Sequence, residues 1–203
     1  MSASNLTYNP FSLPREPLVL RTSSAGKLAE FQRFGLNIRA EPGEDLEEVE
    51  GTPEEVIVYK ALAAGSGVLV EDTSLDVEGF DVGVNLRWLL ATLKDRLTAA
   101  ASATPPRATW RVMLAIHQDG VMRVASATVA GHLVAEPRGG GFSFDPHFVP
   151  QGHTLTLGEM ADLGTKDQCS ARKQAAERLL AGEYAQRPVA GIPAWSGTYQ
   201  QTN

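Results

Sequence analysis

Four short stretches hold the residues whose types and spacing could do chemistry. Glu71 and Asp72 close the apolar run Val68-Leu69-Val70. At the end of a strand in an α/β sheet, adjacent carboxylates can hold Mg2+ or take a proton from water. Two solvated acids opening a loop is the plainer alternative. Thr22-Ser-Ser-Ala-Gly-Lys27 lies between a strand pattern and a helix pattern. Backbone N–H groups at a helix start, with the point charge of Lys27, suit phosphate oxygens, and the alternative is a tight turn with a surface lysine. It is not a P-loop, because the first glycine of that pattern falls on Arg21 and its Ser/Thr position on Leu28. Residues 41–55 carry eight acids, Glu41, Glu44, Asp45, Glu47, Glu48, Glu50, Glu54 and Glu55. Most of these form a solvated face, with one or two at most acting as ligands. Gly141-Phe-Ser-Phe-Asp-Pro-His-Phe148 sets three aromatics and an acid beside a glycine cluster. The rings of Phe142 and Phe144 could stack on a planar base, and Asp145 could accept hydrogen bonds from base N–H groups. A hydrophobic loop tucked onto the core is the alternative. His147 has no second His or Cys at metal-ligand spacing and is assigned no metal.

These stretches need elements to position them. The run 17–22 reads as a short buried strand, and Leu28, Phe31 and Phe34 recur at helical spacing over 27–34 before Gly35. Thr52-Pro53-Glu54-Glu55 combines an N-cap hydroxyl, a first-turn proline and a capping glutamate, which predicts a helix over 53–64 ending near Gly65. A second strand is predicted over 68–72, a helix over 86–97 and a linker or turn over 99–106. Trp110, Val112, Leu114 and Ile116 alternate along a strand at 107–117, Asp119-Gly120 signals a hairpin, and 121–134 is the return strand. Gly139-Gly140-Gly141 is expected to open a flexible loop, and a last helix covers 167–180. Strands alternating with helices, followed by a long hairpin, give a mixed α/β sheet with flanking helices. Residues 1–16, with Pro10 and Pro14, read as an N-terminal arm, and 17–203 as a single domain.

Composition narrows the function. The 203 residues are 43% apolar and 21% charged, an ordinary globular balance. The net charge of -6 argues against a nucleic-acid partner, which would call for a basic face. An acidic protein that binds a polyphosphate needs local cations or a divalent metal. The lone Cys169 excludes a disulfide within the chain and suits a reducing compartment. No signal-peptide pattern opens the sequence and no apolar stretch approaches the roughly 20 residues of a membrane span. The expectation is a cytoplasmic protein with no membrane partner.

Taken in order, these stretches resemble the inosine triphosphate pyrophosphatase family, over about residues 17–181. The resemblance rests on the strand–loop–helix with Lys27, Leu46-Glu-Glu-Val-Glu-Gly51 before the Pro53 helix, and Lys60 within that helix. It continues through Val70-Glu-Asp-Thr-Ser-Leu75, Arg87-Trp88 and Gly141-Phe-Ser-Phe-Asp-Pro146, and closes with Lys166 and Ser170-Ala-Arg172. It implies an elongated mixed α/β sheet with two lobes around a central nucleotide cleft, in a homodimer. The implied reaction is Mg2+-assisted hydrolysis of nucleoside triphosphates, with a preference for non-standard 6-keto purines, to the monophosphate and pyrophosphate. By matching position, Glu48 and Asp72 handle the metal and the attacking water. Lys27, Lys60 and Arg87, with Thr22 and Ser24 of the first loop, face the phosphates. Phe142, Phe144, Asp145, Lys166 and Arg172 face the nucleoside.

The chain departs from the family pattern at three places. Ser24 replaces the usual Asn beside the phosphates, Ser143 the usual Gly of the base loop, and Ala171 the usual His that helps read the 6-keto oxygen. The catalytic half thus resembles the family more closely than the base-reading half. Two rival readings follow: the same reaction on a standard or pathway-specific nucleotide, and a nucleotide-binding protein without catalysis. Retention of Lys27, Glu48, Lys60 and Asp72 argues against the second.

Overall fold

The computed structural model describes residues 17–41, 46–79 and 105–200. The arm expected over 1–16, the helix expected over 86–97 with Arg87 upon it, and most of the linker before Pro106 lie outside the described residues. Among the described residues seven strands form one mixed sheet: β1 (Leu18–Arg21), β2 (Ile38–Glu41), β3 (Val68–Val77), β4 (Arg107–Gln118), β5 (Val121–Leu133), β6 (Phe148–Pro150) and β7 (Ala185–Pro188). Their order is β2-β1-β3-β4-β5-β6, with β7 also paired to β5. β1 runs parallel to both β2 and β3, whereas β3, β4 and β5 are antiparallel. Helices α1 (Ala25–Arg33), α2 (Pro53–Ala64), α3 (Leu157–Asp162) and α4 (Ala171–Ala181) flank the sheet, as the fold class read from the sequence requires.

The alternation of side chains along a strand assigns the two faces. Leu69, Leu75 and Val77 of β3 and Trp110, Val112, Leu114 and Ile116 of β4 pack with Phe31 of α1 and with Ala171, Ala175, Ala176 and Leu179 of α4. On the other face Val70, Met113, Ala115 and Met122 pack with Ile57, Val58 and Ala61 of α2. Glu71 and Thr73 share the parity of Leu69 and Leu75. Asp72 shares that of Val70. Two carboxylates adjacent in sequence therefore point to opposite sides of the sheet, one toward α1 and α4 and the other toward α2.

The caps fix where these helices begin. Thr52 accepts from the Glu55 amide at 3.3 Å while the Glu55 carboxylate accepts from the Thr52 amide at 2.8 Å. Gly65, with φ +94°, ends α2 as expected. Ser24 caps α1 by accepting from the Lys27 amide at 3.3 Å.

Three sequence expectations are corrected. β3 does not stop at Asp72; it pairs with β4 as far as Val77 and keeps Glu71, Asp72, Thr73 and Ser74 buried in mid-strand. Four consecutive polar residues read as a strand end only when nothing across the sheet satisfies them. The last helix is preceded by a 3-10 turn, Lys166–Cys169, and is interrupted at Ser170, which is extended and whose hydroxyl accepts from the Lys173 amide at 3.2 Å. The glycine cluster is packed rather than loose. Gly139, at φ +73°, lies so close to α3 that a methyl group there would run into the backbone of Gly158 and Glu159, and the Gly140 amide donates to Asp162 Oδ2 at 2.9 Å.

The same loop holds a serine in the left-handed region, Ser143 at φ +60°, at the position where the family pattern has glycine. An L side chain there costs about 1–2 kcal/mol, of which the greater chain entropy of glycine cancels roughly half. Ser143→Gly is therefore expected to raise stability by up to about 1 kcal/mol. Gly139→Ala should lower it by about 2–5 kcal/mol, through left-handed strain plus overpacking. Urea unfolding of both variants beside the wild type checks the pair of signs.

Candidate functional site

On the α2 face, Asp72 is nine-tenths buried and approaches Lys60 Nζ at 3.6 Å. Lys60 also donates to Glu48 Oε1 at 2.5 Å. Two carboxylates thus converge on one ammonium. Burial pushes the Asp72 carboxyl up to about 6; Lys60 pulls against that shift, and the neighbouring Glu48 and Glu71 add to it. Burial alone would lower the Lys60 pKa, but Asp72 and Glu48 more than offset this and raise it. Lys60 stays charged while Asp72 titrates near neutrality.

On the opposite face a closed ionic network fills the space between β3, α1 and α4. Glu71 takes an ion pair from Lys27 and two hydrogen bonds from Arg172, Nε at 3.1 Å and Nη2 at 2.9 Å. Thr73 Oγ1 donates to Glu71 at 2.6 Å and accepts from Arg172 Nη2 at 3.1 Å. Burial raises the Glu71 pKa, but Lys27 and Arg172 outweigh it and hold the carboxyl down at about 2. Arg172 pairs in turn with Glu30. Lys166 bridges Glu30 and Asp145, each at 2.6 Å. Asp145 Oδ2 also accepts from the Phe142 amide at 2.9 Å. Three carboxylates, Glu30, Glu71 and Asp145, are thus matched by three cations, Lys27, Lys166 and Arg172.

The structure brings most of the residues read from the sequence together and separates one. Lys27, Glu48, Lys60 and Asp72 gather around mid-β3, and Asp145, Lys166 and Arg172 adjoin them through Glu71 and Glu30. Thr22 and Ser24 shape the loop into α1, the Ser24 amide donating to Thr22 Oγ1 at 3.1 Å. The Phe142 ring is half-buried against Gly26, with Lys166 Nζ 4.5 Å from its centre. Phe144, by contrast, is buried in the core, with Trp110 and Phe148 rings 5.6 Å and 5.8 Å away. It is a packing residue, because Asp145 and the turn after it direct it beneath the loop rather than toward a ligand. Ala171 is fully buried at the first position of α4 and offers no donor. The sequence reading missed Glu30 and the anchoring part played by Glu71. Glu30 is an acid on an otherwise polar helix face, and its partners lie 136 and 142 residues away along the chain. Only its position one turn after Lys27 could have drawn attention to it.

The α2 face also meets the requirements of a divalent cation. Glu48 and Asp72 share the single charge of Lys60, so one negative charge is left over among these three groups. No set of three or more His, Cys, Asp or Glu side chains that could hold a metal occurs among the described residues. Mg2+ needs no such cage, since it is commonly held by one or two carboxylates together with substrate phosphates and water. The donor set fits Mg2+ and does not fit a structural zinc.

Comparison with known proteins identifies the family. The Ham1 family model matches residues 18–182. A dITP/XTP pyrophosphatase from Pyrobaculum aerophilum is 35% identical over 148 residues, covering 66% of this chain and 78% of that relative. An inosine triphosphate pyrophosphatase from Yarrowia lipolytica is 32% identical over 177 residues, covering 80% of this chain and 93% of the relative. The solved structure of a HAM1 protein from Coxiella burnetii superposes with a TM-score of 0.67 at 26% identity, over 82% of this chain and 97% of that one. Among the described residues no helix is long and apolar enough to cross a membrane. The ordered run of motifs, the mixed sheet and these matches agree: the chain belongs to the Ham1 family.

Proposed function

We propose that this chain hydrolyses nucleoside triphosphates, non-standard or modified purines in particular, to the monophosphate and pyrophosphate. The observation that carries the reading is the convergence of Lys27 and Lys60, from helices on opposite faces of the sheet, upon Glu71 and Asp72 of β3. Relatives named dITP/XTP pyrophosphatase and inosine triphosphate pyrophosphatase support the same reaction.

Lys27 and Lys60 supply fixed positive charge for the triphosphate, assisted by the N–H groups of the α1 N-terminus beside Thr22 and Ser24. Arg87, outside the described residues, completes the phosphate side as the resemblance implies. Asp72 accepts the proton of the attacking water, since a carboxyl titrating near 6 is largely ionised yet still basic at neutral pH. Glu48 and Asp72 would hold Mg2+, which would neutralise phosphate charge and lower the pKa of water near it. Lys166, Arg172 and Asp145 face the base, with Phe142 as the ring it stacks on. With Ala171 lacking a donor, Arg172 alone remains to donate to a 6-keto oxygen, and discrimination against 6-amino purines is weakened. A homodimer and a cytoplasmic location complete the proposal, on the strength of the family resemblance.

Asp72→Asn keeps the shape and removes the basicity, so turnover is expected to fall by at least ~100-fold. In the metal-free protein, a pH titration followed by carbon-13 NMR should find the Asp72 carboxyl ionising at about 6. Burial lifts the Asp72 carboxyl in the folded state above the ordinary aspartate value of 3.8, so between 3.8 and about 6 the native state holds more protons than the unfolded state, and this group's contribution to stability falls as pH rises. Asp72→Asn should accordingly unfold at higher urea than wild type at pH 7. A folded Asp72→Asn with normal turnover would remove Asp72 from the mechanism.

Chelation of divalent ions should abolish pyrophosphate release, and Mg2+ should restore it. Glu48→Gln is expected to raise the Mg2+ concentration needed for half-maximal rate by about 10–100-fold, while the inosine-to-adenosine triphosphate rate ratio stays put. Full activity in excess chelator would sink the metal assignment.

A further inference from the structure

The family match ends at residue 182, yet the chain continues through β7 and returns to the segment that carries Glu48. β7 pairs with the start of β5, the Val189 amide donates to the Gly120 carbonyl at 2.8 Å, and Val189 and Ile192 pack on the α2-side core. Beyond them, the Tyr59 hydroxyl donates to the Pro193 carbonyl at 2.9 Å, and the Trp195 ring stands 5.0 Å from the Tyr59 ring on α2. The Trp195 indole N–H donates to the Thr198 carbonyl at 3.0 Å and folds the segment on itself. Val49 and Tyr199 then form an antiparallel bridge. The Glu50 amide donates to the Thr198 carbonyl at 2.9 Å, and the Gln200 amide donates to the Glu48 carbonyl at 2.8 Å. Gln200 Nε2 adds a bond to the Val49 carbonyl at 3.1 Å, and the Thr198 hydroxyl one to the Glu50 carboxylate at 2.6 Å.

Residues 46–51 belong to no helix and no ladder of the main sheet. Val49 is buried, Glu48 half-buried and Glu50 exposed, and their backbone groups pair with Thr198 and Gln200. An unsupported segment would leave the Glu48 side chain free to swing off Lys60.

We propose that residues 193–200 are a positioning strap that holds Glu48 at the metal–phosphate side of the site, with α2 as its anchor. The proposal rests on the functional reading above for what Glu48 does there. Trp195 and Gln200 touch no reacting atom. They act through the backbone of residues 48–50.

The test uses the full chain, a chain truncated after Pro193 so that Val189 and Ile192 stay in the core, and Trp195→Ala and Trp195→Phe. Mn2+ affinity is measured by electron paramagnetic resonance with the α,β-imido analogue of inosine triphosphate present, and kcat and nucleotide KM by pyrophosphate release. Truncation and Trp195→Ala are expected to weaken Mn2+ binding by about tenfold or more and to lower kcat at fixed Mg2+. Nucleotide KM at saturating Mg2+ should be unchanged, and Trp195→Phe should retain most of the affinity. In a Glu48→Gln background the truncation should make no further difference to Mn2+ affinity. Unchanged Mn2+ affinity in the folded truncated chain would overturn the strap, as would an equal loss with and without Glu48, or a wild-type chain that binds no Mn2+. If the truncated chain does not fold, Trp195→Ala and Trp195→Phe decide by the same readings. A wild-type chain that releases no pyrophosphate but whose Mn2+ affinity depends on the strap would overturn the functional reading and uphold the strap.

Discussion

Glu71 lies in the middle of β3, completely enclosed, and ionised because Lys27 and Arg172 reach it from two helices. From this carboxylate the ionic network extends through Arg172 to Glu30, through Glu30 to Lys166, and through Lys166 to Asp145. It ties α1, β3, the turn before α4, α4 itself and the loop after β5 into one unit. Removing a single partner from such a set leaves a buried charge uncompensated, which costs about 3–5 kcal/mol. The geometry of Asp145, Lys166 and Arg172, which we propose face the base, is therefore inseparable from the packing of the larger core. Arg172 is held by Glu30, Glu71 and Thr73.

The neighbouring Asp72 is placed by the same strand and meets the opposite condition. Among the described residues, Glu30, Glu71 and Asp145 pair with Lys27, Lys166 and Arg172, whereas Glu48 and Asp72 both pair with Lys60. The outcome is a pair of adjacent carboxyls, one held at about 2 and the other raised to about 6. Glu71 is fixed and structural, while Asp72 is basic and under-neutralised. Burial raises the Asp72 carboxyl and the neighbouring Glu48 and Glu71 add to the rise, and this is the face on which we propose that a cation and phosphates bind. The strap from residues 193–200 supports Glu48, whose own segment lies outside the helices and the main sheet.

Much of this was legible in the sequence where a local rule fixes the outcome. The capping box at Thr52 and Glu55 placed α2 with Lys60 on it, and Asp119-Gly120 placed the β4–β5 hairpin. The order of the motifs pointed to the family before any coordinates did. What was illegible depended on partners distant in sequence. Glu30 reads like any helix acid until Lys166 and Arg172 are folded against it. The run Glu71 to Ser74 reads as the end of a strand until a ladder with β4 and cations from α1 and α4 satisfy it. Phe144 and Phe142, two residues apart, could not be assigned to core and surface by spacing, because the loop's turns rather than a regular period decide which ring goes beneath. The triple glycine suggested flexibility, whereas its small residues serve close contact with α3. Residues 193–200 carry no periodic signal at all, since their hydrogen bonds run to a segment some 150 positions earlier, as from Gln200 to Val49, with |i−j| = 151.

In the proposed reaction an anchored Glu71 stands beside a basic Asp72 that activates water toward the α-phosphorus. Hydrolysis of inosine triphosphate in water enriched in oxygen-18, with mass analysis of both products, tests that directly. Attack at the α-phosphorus places the heavy oxygen in the monophosphate and leaves the pyrophosphate unlabelled. Label in the pyrophosphate, or release of inorganic phosphate with a nucleoside diphosphate, would contradict it.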